Sequence, residues 1–502
     1  MADATGATIS GRRLVWGGSL TALGLALSQV ISLGSFVVLA RLAPPAIFGV
    51  YAASAVLLQT SGLFAGASMQ SAIIQRPDRI EEAASTAFAA NVVGGLLLAG
   101  AAAALGPLIG LFFHSGEAGK AASVLAGTIP ITALSIVPGG LLQRRISLAS
   151  ALVQPSASLV YGIAAIVTLA TGMGLWGLVL ATYAGECART ASLWLLARWR
   201  PSPTLVSWQM WRSLSAYGRP VVFSLLLREI GFAGSTAVVG RVLGAGELGL
   251  FRSAQRFVLG ASTTVVYGSA YVLLPAFSRI WQDERRFQAS LLRVTRAVTL
   301  IVFPMSLAFI PLGRPLATVL LGARWSGAGP IMMAMAGVGV ALALDSISSE
   351  AFKATGRTEI LPRMHGLTAV VPIALMIALR RFGGEGMGAA LSLGMAVVAI
   401  YAVGALGRVA RVRTRRILAQ AGPALMAASV MAAAGFFLER YVIHAGGATG
   451  LRGLALLLLD TLAAAALYLA SLAALSRGSL VELRELARLL VTRREHSVSP
   501  VV

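Results

Sequence analysis

Long apolar stretches broken by short charged or Pro/Gly-rich segments run through this chain from end to end. A helix needs about 20 mostly apolar residues to cross the hydrocarbon core of a bilayer. Read from break to break, such stretches fall at 14-38, 46-69, 84-105, 118-142, 150-171, 174-197, 215-238, 248-275, 291-312, 328-352, 362-379, 387-407, 417-439 and 451-475, which predicts an all-α integral membrane protein with about 14 transmembrane helices. Arg12 and Arg13 precede the first span as they would precede a signal peptide. That span is too long for one and has no small-residue cleavage pattern behind it, so it reads as retained.

The pattern also repeats. Residues 34-51 align without a gap on 234-251, pairing Gly34 with Gly234, Ser35 with Ser235, Val38 with Val238, Arg41 with Arg241, Gly49 with Gly249 and the aromatic Tyr51 with Phe251. Six predicted spans separate the copies, so both face the same way. Duplicated helix sets of this kind build many transporters, with the substrate path between the copies. The expected organisation is an N-terminal six-helix lobe (1-200), a C-terminal six-helix lobe in parallel pseudo-repeat (201-410), an extra helix pair (411-476) and a basic tail (477-502). In the tail, Leu480, Leu483, Leu486 and Leu490 oppose Arg and Glu, which reads as an interfacial helix lying on the inner leaflet.

Composition agrees with lipid as the solvent: 57% of residues are hydrophobic and 12% charged, against about 25% charged in soluble chains. The net charge of +22 invites a nucleic-acid reading. The 39 Arg and two Lys fall almost entirely in the breaks, however, where contact with anionic lipid accounts for them. They also fall unevenly, 28 on the side of the N-terminus and nine on the other. Positive loops stay inside, which predicts both termini in the cytoplasm.

Several kinds of chemistry lack their residues. Cys187 is the only cysteine, so there is no disulfide framework, and the four histidines are isolated from other metal-ligating side chains. Gly172, Gly174 and Gly177 spell a dinucleotide fingerprint but join two predicted membrane helices instead of opening a βαβ unit. Neither a cofactor nor a metal is expected. The connections between spans are short, which leaves no soluble catalytic domain, and no P-loop occurs in the chain.

The candidate chemistry therefore lies in the ionisable residues within spans, which are costly in the bilayer and usually line a cavity or pair. Glu186 and Arg189 are three residues apart on one helical face and read as a structural pair. Arg228 and Glu229 lie mid-span, and Arg252 and Arg256 occupy one face of the eighth span. Like charges four residues apart repel, so an anion or neighbouring carboxylates should stand between them. Guanidinium forks suit phosphate oxygens, which makes Arg228, Arg252 and Arg256 candidates for a pyrophosphate. Asp345, Glu350 and Asp460 are the remaining acids in spans. Asp345 and Glu350 are the ion-coupling candidates, with neutral, hydrogen-bonded burial as the alternative.

Four stretches, ARLAPPAIFGVYA, AIIQRPDRIEEAASTAFAAN, GLLQRRISL and GRVLGAGELGLFRSAQRF, with LLPAFSRIWQD and LLGARW (320-325) in order behind them, give the chain its family likeness. From about residue 10 to 410 it resembles the polysaccharide (oligosaccharidyl-lipid) flippases of the multidrug/oligosaccharidyl-lipid/polysaccharide exporter superfamily. It departs from the peptidoglycan-precursor branch in its first span, which carries only Ser19, Thr21, Ser28, Gln29, Ser32 and Ser35 as polar residues. The resemblance implies a transporter, not an enzyme, that moves an undecaprenyl-pyrophosphate-linked oligosaccharide across the bacterial inner membrane by alternating access, for exopolysaccharide, capsule or O-antigen assembly. Membrane lipids, a polysaccharide polymerase and a chain-length regulator are the implied partners, and nucleic acid is not. A cation-coupled multidrug efflux antiporter of the same fold is the alternative reading.

Overall fold

The computed structural model describes residues 11–58, 78–145 and 148–491, and every regular element among them is helical. In chain order the α-helices are α1 (Gly11–Leu42), α2 (Pro45–Ser54), α3 (Ile80–Phe112), α4 (Gly116–Leu125), α5 (Thr128–Arg145), α6 (Leu148–Ala170), α7 (Gly174–Ala197), α8 (Trp208–Ile280), α9 (Glu284–Leu307), α10 (Phe309–Pro315), α11 (Ala328–Ala334), α12 (Gly337–Ala354), α13 (Leu361–Ala378), α14 (Gly383–Val409), α15 (Thr414–Leu438), α16 (Gly450–Leu475) and α17 (Arg477–Val491).

Local signals start and stop these helices where elementary chemistry places them. Pro45 opens α2 with its φ already helical. The side chains of Ser115, Ser207 and Asp283 accept the orphan N–H of Ala118, Met210 and Arg286 at the starts of α4, α8 and α9. Gly172 and Gly174, at φ 83° and 53°, make the tight turn between α6 and α7, so the dinucleotide-like pattern is a helix-to-helix connection.

Among the described residues, nine helical segments are long and apolar enough to cross a membrane, ten if the pair α11 and α12, bent by 42°, is one broken span. The chain is a multi-pass membrane protein. Four of the fourteen expected spans stand outside that set. The stretch 46-69 runs beyond the described residues after α2. The stretch 174-197 is the helix α7, diluted by Glu186 and Arg189. The stretches 215-238 and 248-275 fall in two successive helices that together make up α8, and the chain bends between them so that a Cβ on Gly240 would come within 2.9 Å of the Leu248 side chain. The kink that joins them is at Gly244, whose φ of 84° and ψ of 178° are not helical. Leu480 and Leu483 of α17 pack against a buried core and Glu482 lies 3.5 Å from Arg296, so the start of the tail helix contacts α9.

Among the described residues three large cores hold the bundle. One joins the N-terminal helices to α8–α14 around Phe36, Phe48, Phe251 and Trp325. A second lies within α8–α14 and extends through Met431 and Tyr468 into α15 and α16. The third is confined to α3, α5, α7 and the start of α8, around Trp199 and Met210. The N-terminal helices meet α8 through α1, α2 and α3, while α15 stands against α9 and α10 on the far side.

Candidate functional site

At the Arg41 end of the bundle the two sets of helices meet in matched pairs. A Cβ on Gly49 of α2 would stand 1.7 Å from the Ala245 carbonyl oxygen, and one on Gly249 of α8 would stand 1.9 Å from the Pro45 oxygen. Only glycine permits this backbone crossing, and the relation is reciprocal. Two arginines close the same end from opposite directions. Arg41 of α1 donates to the carbonyl oxygens of Val319 and, at 3.0 Å, Leu320. Arg241 of α8 donates to the Phe112 oxygen at 3.1 Å and contacts the His114 ring. Both cap carbonyls at the C-terminal end of a helical segment, where a cation is favoured.

Beneath this contact lies a roof of aromatic rings. Phe36, Phe48 and Trp325 form a triangle with centroid separations of 5.4, 5.5 and 5.3 Å, in edge-to-face geometry. Trp325 is fully buried and its indole N–H donates to the Ala40 oxygen at 2.8 Å.

Below the roof α1, α2, α6 and α8 separate around a cavity of about 580 Å³. Gln29 and Ser32 reach it from α1, Tyr51 from α2, Tyr161 from α6, and Glu229, Arg252, Gln255 and Arg256 from α8. Arg256 Nη2 donates to Ser32 Oγ at 2.8 Å, and its guanidinium sits 4.9 Å from the Phe36 ring centroid. Arg252 Nη1 donates to Gln255 Oε1 at 2.8 Å, while the buried Gln255 Nε2 has no partner. Among the described residues neither arginine is ion-paired with a carboxylate. Such a site offers two half-buried cations and an unused amide donor to an anion.

The expected residues are distributed unequally. Arg252, Arg256 and Glu229 come together here, and Arg228 belongs to α8, but its side chain lies outside the described residues. Glu186 and Arg189 form an ion pair at 2.6 Å in α7. Asp345 is half-buried in α12 and does not line the cavity. Glu350 is buried and ion-paired with Lys353 at 2.7 Å. Asp460 is buried in α16 with both carboxylate oxygens unpartnered. Gln29, Ser32, Tyr51, Tyr161 and Gln255 escaped the reading of ionisable residues; the visible signal was Gln29 and Ser32 on one face of an otherwise apolar span. Among the described residues no cluster of metal-ligating side chains occurs.

Helical halves that enclose a polar cavity and close at one end define a membrane protein with the fold of flippases and multidrug exporters. It superposes on the lipid II flippase MurJ in an inward-closed conformation with a TM-score of 0.73, at 16% identity, covering 93% of this chain and 100% of that one. Against an inward-facing multidrug resistance MATE family transporter of the MOP superfamily the TM-score is 0.57, at 20% identity over 80% of this chain and 95% of the other. The polysaccharide biosynthesis protein family model matches residues 38–330, and the chain belongs to that family. It is 26% identical over 59% of its length to the succinoglycan biosynthesis transport protein ExoT of Rhizobium meliloti (strain 1021) and 22% identical over 58% to the teichuronic acid biosynthesis protein TuaB of Bacillus subtilis (strain 168). The match spans 60% of the length of each of these relatives.

Proposed function

We propose that this protein carries a polyprenyl-pyrophosphate-linked oligosaccharide across the bacterial inner membrane by alternating access, for exopolysaccharide, capsule or O-antigen assembly. The observation that carries this reading is the pair Arg252 and Arg256, held in a cavity between the two sets of helices with no carboxylate ion-paired to either among the described residues. Desolvated guanidinium groups seek an anion, and a pyrophosphate supplies charge at the junction of lipid and sugar. The headgroup passes through the cavity while the polyprenyl chain remains in lipid. Two guanidinium groups beside the single carboxylate of Glu229 disfavour a cationic drug. Deleting the gene and complementing with Arg252→Ala or Arg256→Ala tests the reading: polymer export should fall sharply at equal membrane abundance.

The proposed architecture has fourteen spans in two six-helix lobes, 1-200 and 201-410, with the pair 411-476 and the tail 477-502 added. The reciprocal contacts of Gly49 with Ala245 and Gly249 with Pro45 support a two-fold relation between lobes, because each residue and its counterpart stand 200 positions apart. The charge asymmetry supports cytoplasmic termini and places the sealed Arg41 end outside. Cysteine at Ser326 should react with an impermeant maleimide in whole cells; cysteine at Gln282 or Thr414 should not. Labelling at Thr414 contradicts this topology.

Net export needs a drive, and an ion carrier must change ligation between states. Asp345 and Glu350 are the candidates, and Glu350 is ion-paired with Lys353 at 2.7 Å. Asp345→Asn should preserve substrate binding and abolish the dependence of transport on pH or sodium in proteoliposomes; retained gradient dependence rejects the assignment. A polymerase and a chain-length regulator are the proposed consumers of the exported unit.

A further inference from the structure

A second cavity, of about 310 Å³, opens between α1, α6 and α7 beside the first and shares Ser32 and Tyr161 with it. Its remaining polar lining comes from Gln154, Ser158, Thr182, Glu186 and Arg189. The two hydroxyl groups are already engaged. Ser158 Oγ is 2.8 Å from Ser28 Oγ, and Thr182 donates to the Leu178 oxygen while it bonds Tyr51 at 2.8 Å. The ion pair is lopsided. Glu186 accepts from Thr132 Oγ1 at 3.0 Å and from Arg189 Nε and Nη2 at 3.1 and 2.6 Å, all through the single oxygen Oε2.

Among the described residues, Glu186 Oε1, Arg189 Nη1 and the Gln154 amide therefore have no hydrogen-bond partner. An acceptor, a pair of fixed N–H donors and a group that does both face one small cavity beside a tyrosine ring. The Arg189 and Glu186 side chains keep 26% and 29% of their surface exposed, so these atoms are open to a bound molecule.

The geometry points to a sugar subsite. Hydroxyl groups both donate and accept, so vicinal hydroxyls of a pyranose use the Glu186 oxygen, the Arg189 fork and the Gln154 amide together. The volume lies at the low end of the ~300–1,000 Å³ of small-molecule sites, which suits one sugar unit and not a whole oligosaccharide. In a glycosyl pyrophosphate the first sugar hangs directly from the phosphate through its anomeric oxygen, so it must lie next to whatever holds the phosphates. We infer that this side cavity receives the sugar unit joined to the pyrophosphate, an inference that rests on the assignment of the central cavity to that pyrophosphate. Because the charge of Arg189 is committed to Glu186, the subsite takes a neutral sugar and rejects a uronic acid.

The test uses the purified full-length protein in nanodiscs with undecaprenyl pyrophosphate, bare or carrying one glucose, galactose, N-acetylglucosamine or glucuronic acid unit. At least one neutral sugar should improve binding about tenfold over the bare lipid, and glucuronic acid should not. Gln154→Ala, at an exposed position, and Glu186→Gln should each remove most of that increment and weaken the bare lipid much less. Arg256→Ala should weaken bare and sugar-bearing lipids alike. If no neutral sugar improves binding, or Gln154→Ala and Glu186→Gln both keep the full increment, the subsite is overturned. If the sugar increment is present and depends on these residues while Arg256→Ala leaves bare-lipid binding intact, the phosphate assignment is the one that fails.

Discussion

The Arg41 end of the bundle and the cavity beneath it are built from the same helices by opposite means. At the sealed end α1, α2 and α8 meet backbone to backbone at Gly49 and Gly249, with Phe36, Phe48 and Trp325 filling the space below. Further along α1 and α8, Gln29, Ser32, Arg252 and Arg256 face an open volume, and among the described residues neither cation is ion-paired with a carboxylate. One region gains stability from having nothing left unsatisfied. The other keeps donors available, which is what a transported anion requires. The transition occurs along α8 between Gly249, where any side chain would block the seal, and Arg252, three residues on.

The seal should break most completely at its glycines. Gly49→Val or Gly249→Val places carbon where a carbonyl oxygen stands and should destabilise the sealed state by about 3 kcal/mol or more. Cysteine at Ser32, beneath the roof, should then become reactive to an impermeant maleimide from outside, whereas it stays protected with both glycines intact. Protection in the Gly49→Val background would mean that the crossing is not what closes this end.

The cavity half of the comparison is tested by its cations. Each of Arg252→Ala and Arg256→Ala should weaken binding of undecaprenyl pyrophosphate by roughly 1.5–3 kcal/mol, the value of a charge-assisted hydrogen bond. Lysine should substitute poorly wherever two oxygens are held at once. Maleimide protection at Ser32 should persist in these variants, so that binding and sealing separate. Unchanged binding in both alanine variants makes the pair structural.

The smallest effects belong to the two arginines of the sealed end. Arg41→Gln and Arg241→Gln each remove exposed contacts to helix-end carbonyls, and each should raise Ser32 accessibility roughly two- to tenfold. If the two lobes are related as proposed, the two variants should match each other. A large effect from one and none from the other breaks the two-fold account while leaving the seal in place.

Much of this was legible in the sequence, for identifiable reasons. Apolar length marks spans because lipid offers the backbone no partners, and the 200-residue repeat already paired Arg41 with Arg241 and Gly49 with Gly249. Three of the six stretches that carried the family resemblance lie at the seal and the cavity: ARLAPPAIFGVYA holds Arg41 and Gly49, GRVLGAGELGLFRSAQRF holds Arg241, Gly249, Arg252 and Arg256, and LLGARW holds the roof residue Trp325. What hydropathy could not show was how short the connection between the two helices of α8 is. The charges at Arg241 and Glu247 do bracket the break, but helical residues run up to both sides of the kink at Gly244. Nor could it show that Glu350 is paired with Lys353, which sits at the span's end.

The most direct test of the central claim is scrambling in proteoliposomes that contain only the purified protein and a fluorescent undecaprenyl-pyrophosphate-linked oligosaccharide. Its inner- and outer-leaflet populations can be resolved by a membrane-impermeant quencher. The protein should move this lipid between leaflets, and the Arg252→Ala/Arg256→Ala double variant, reconstituted at equal density, should not. Transport of ethidium down a proton gradient with no movement of the lipid-linked glycan would contradict the account.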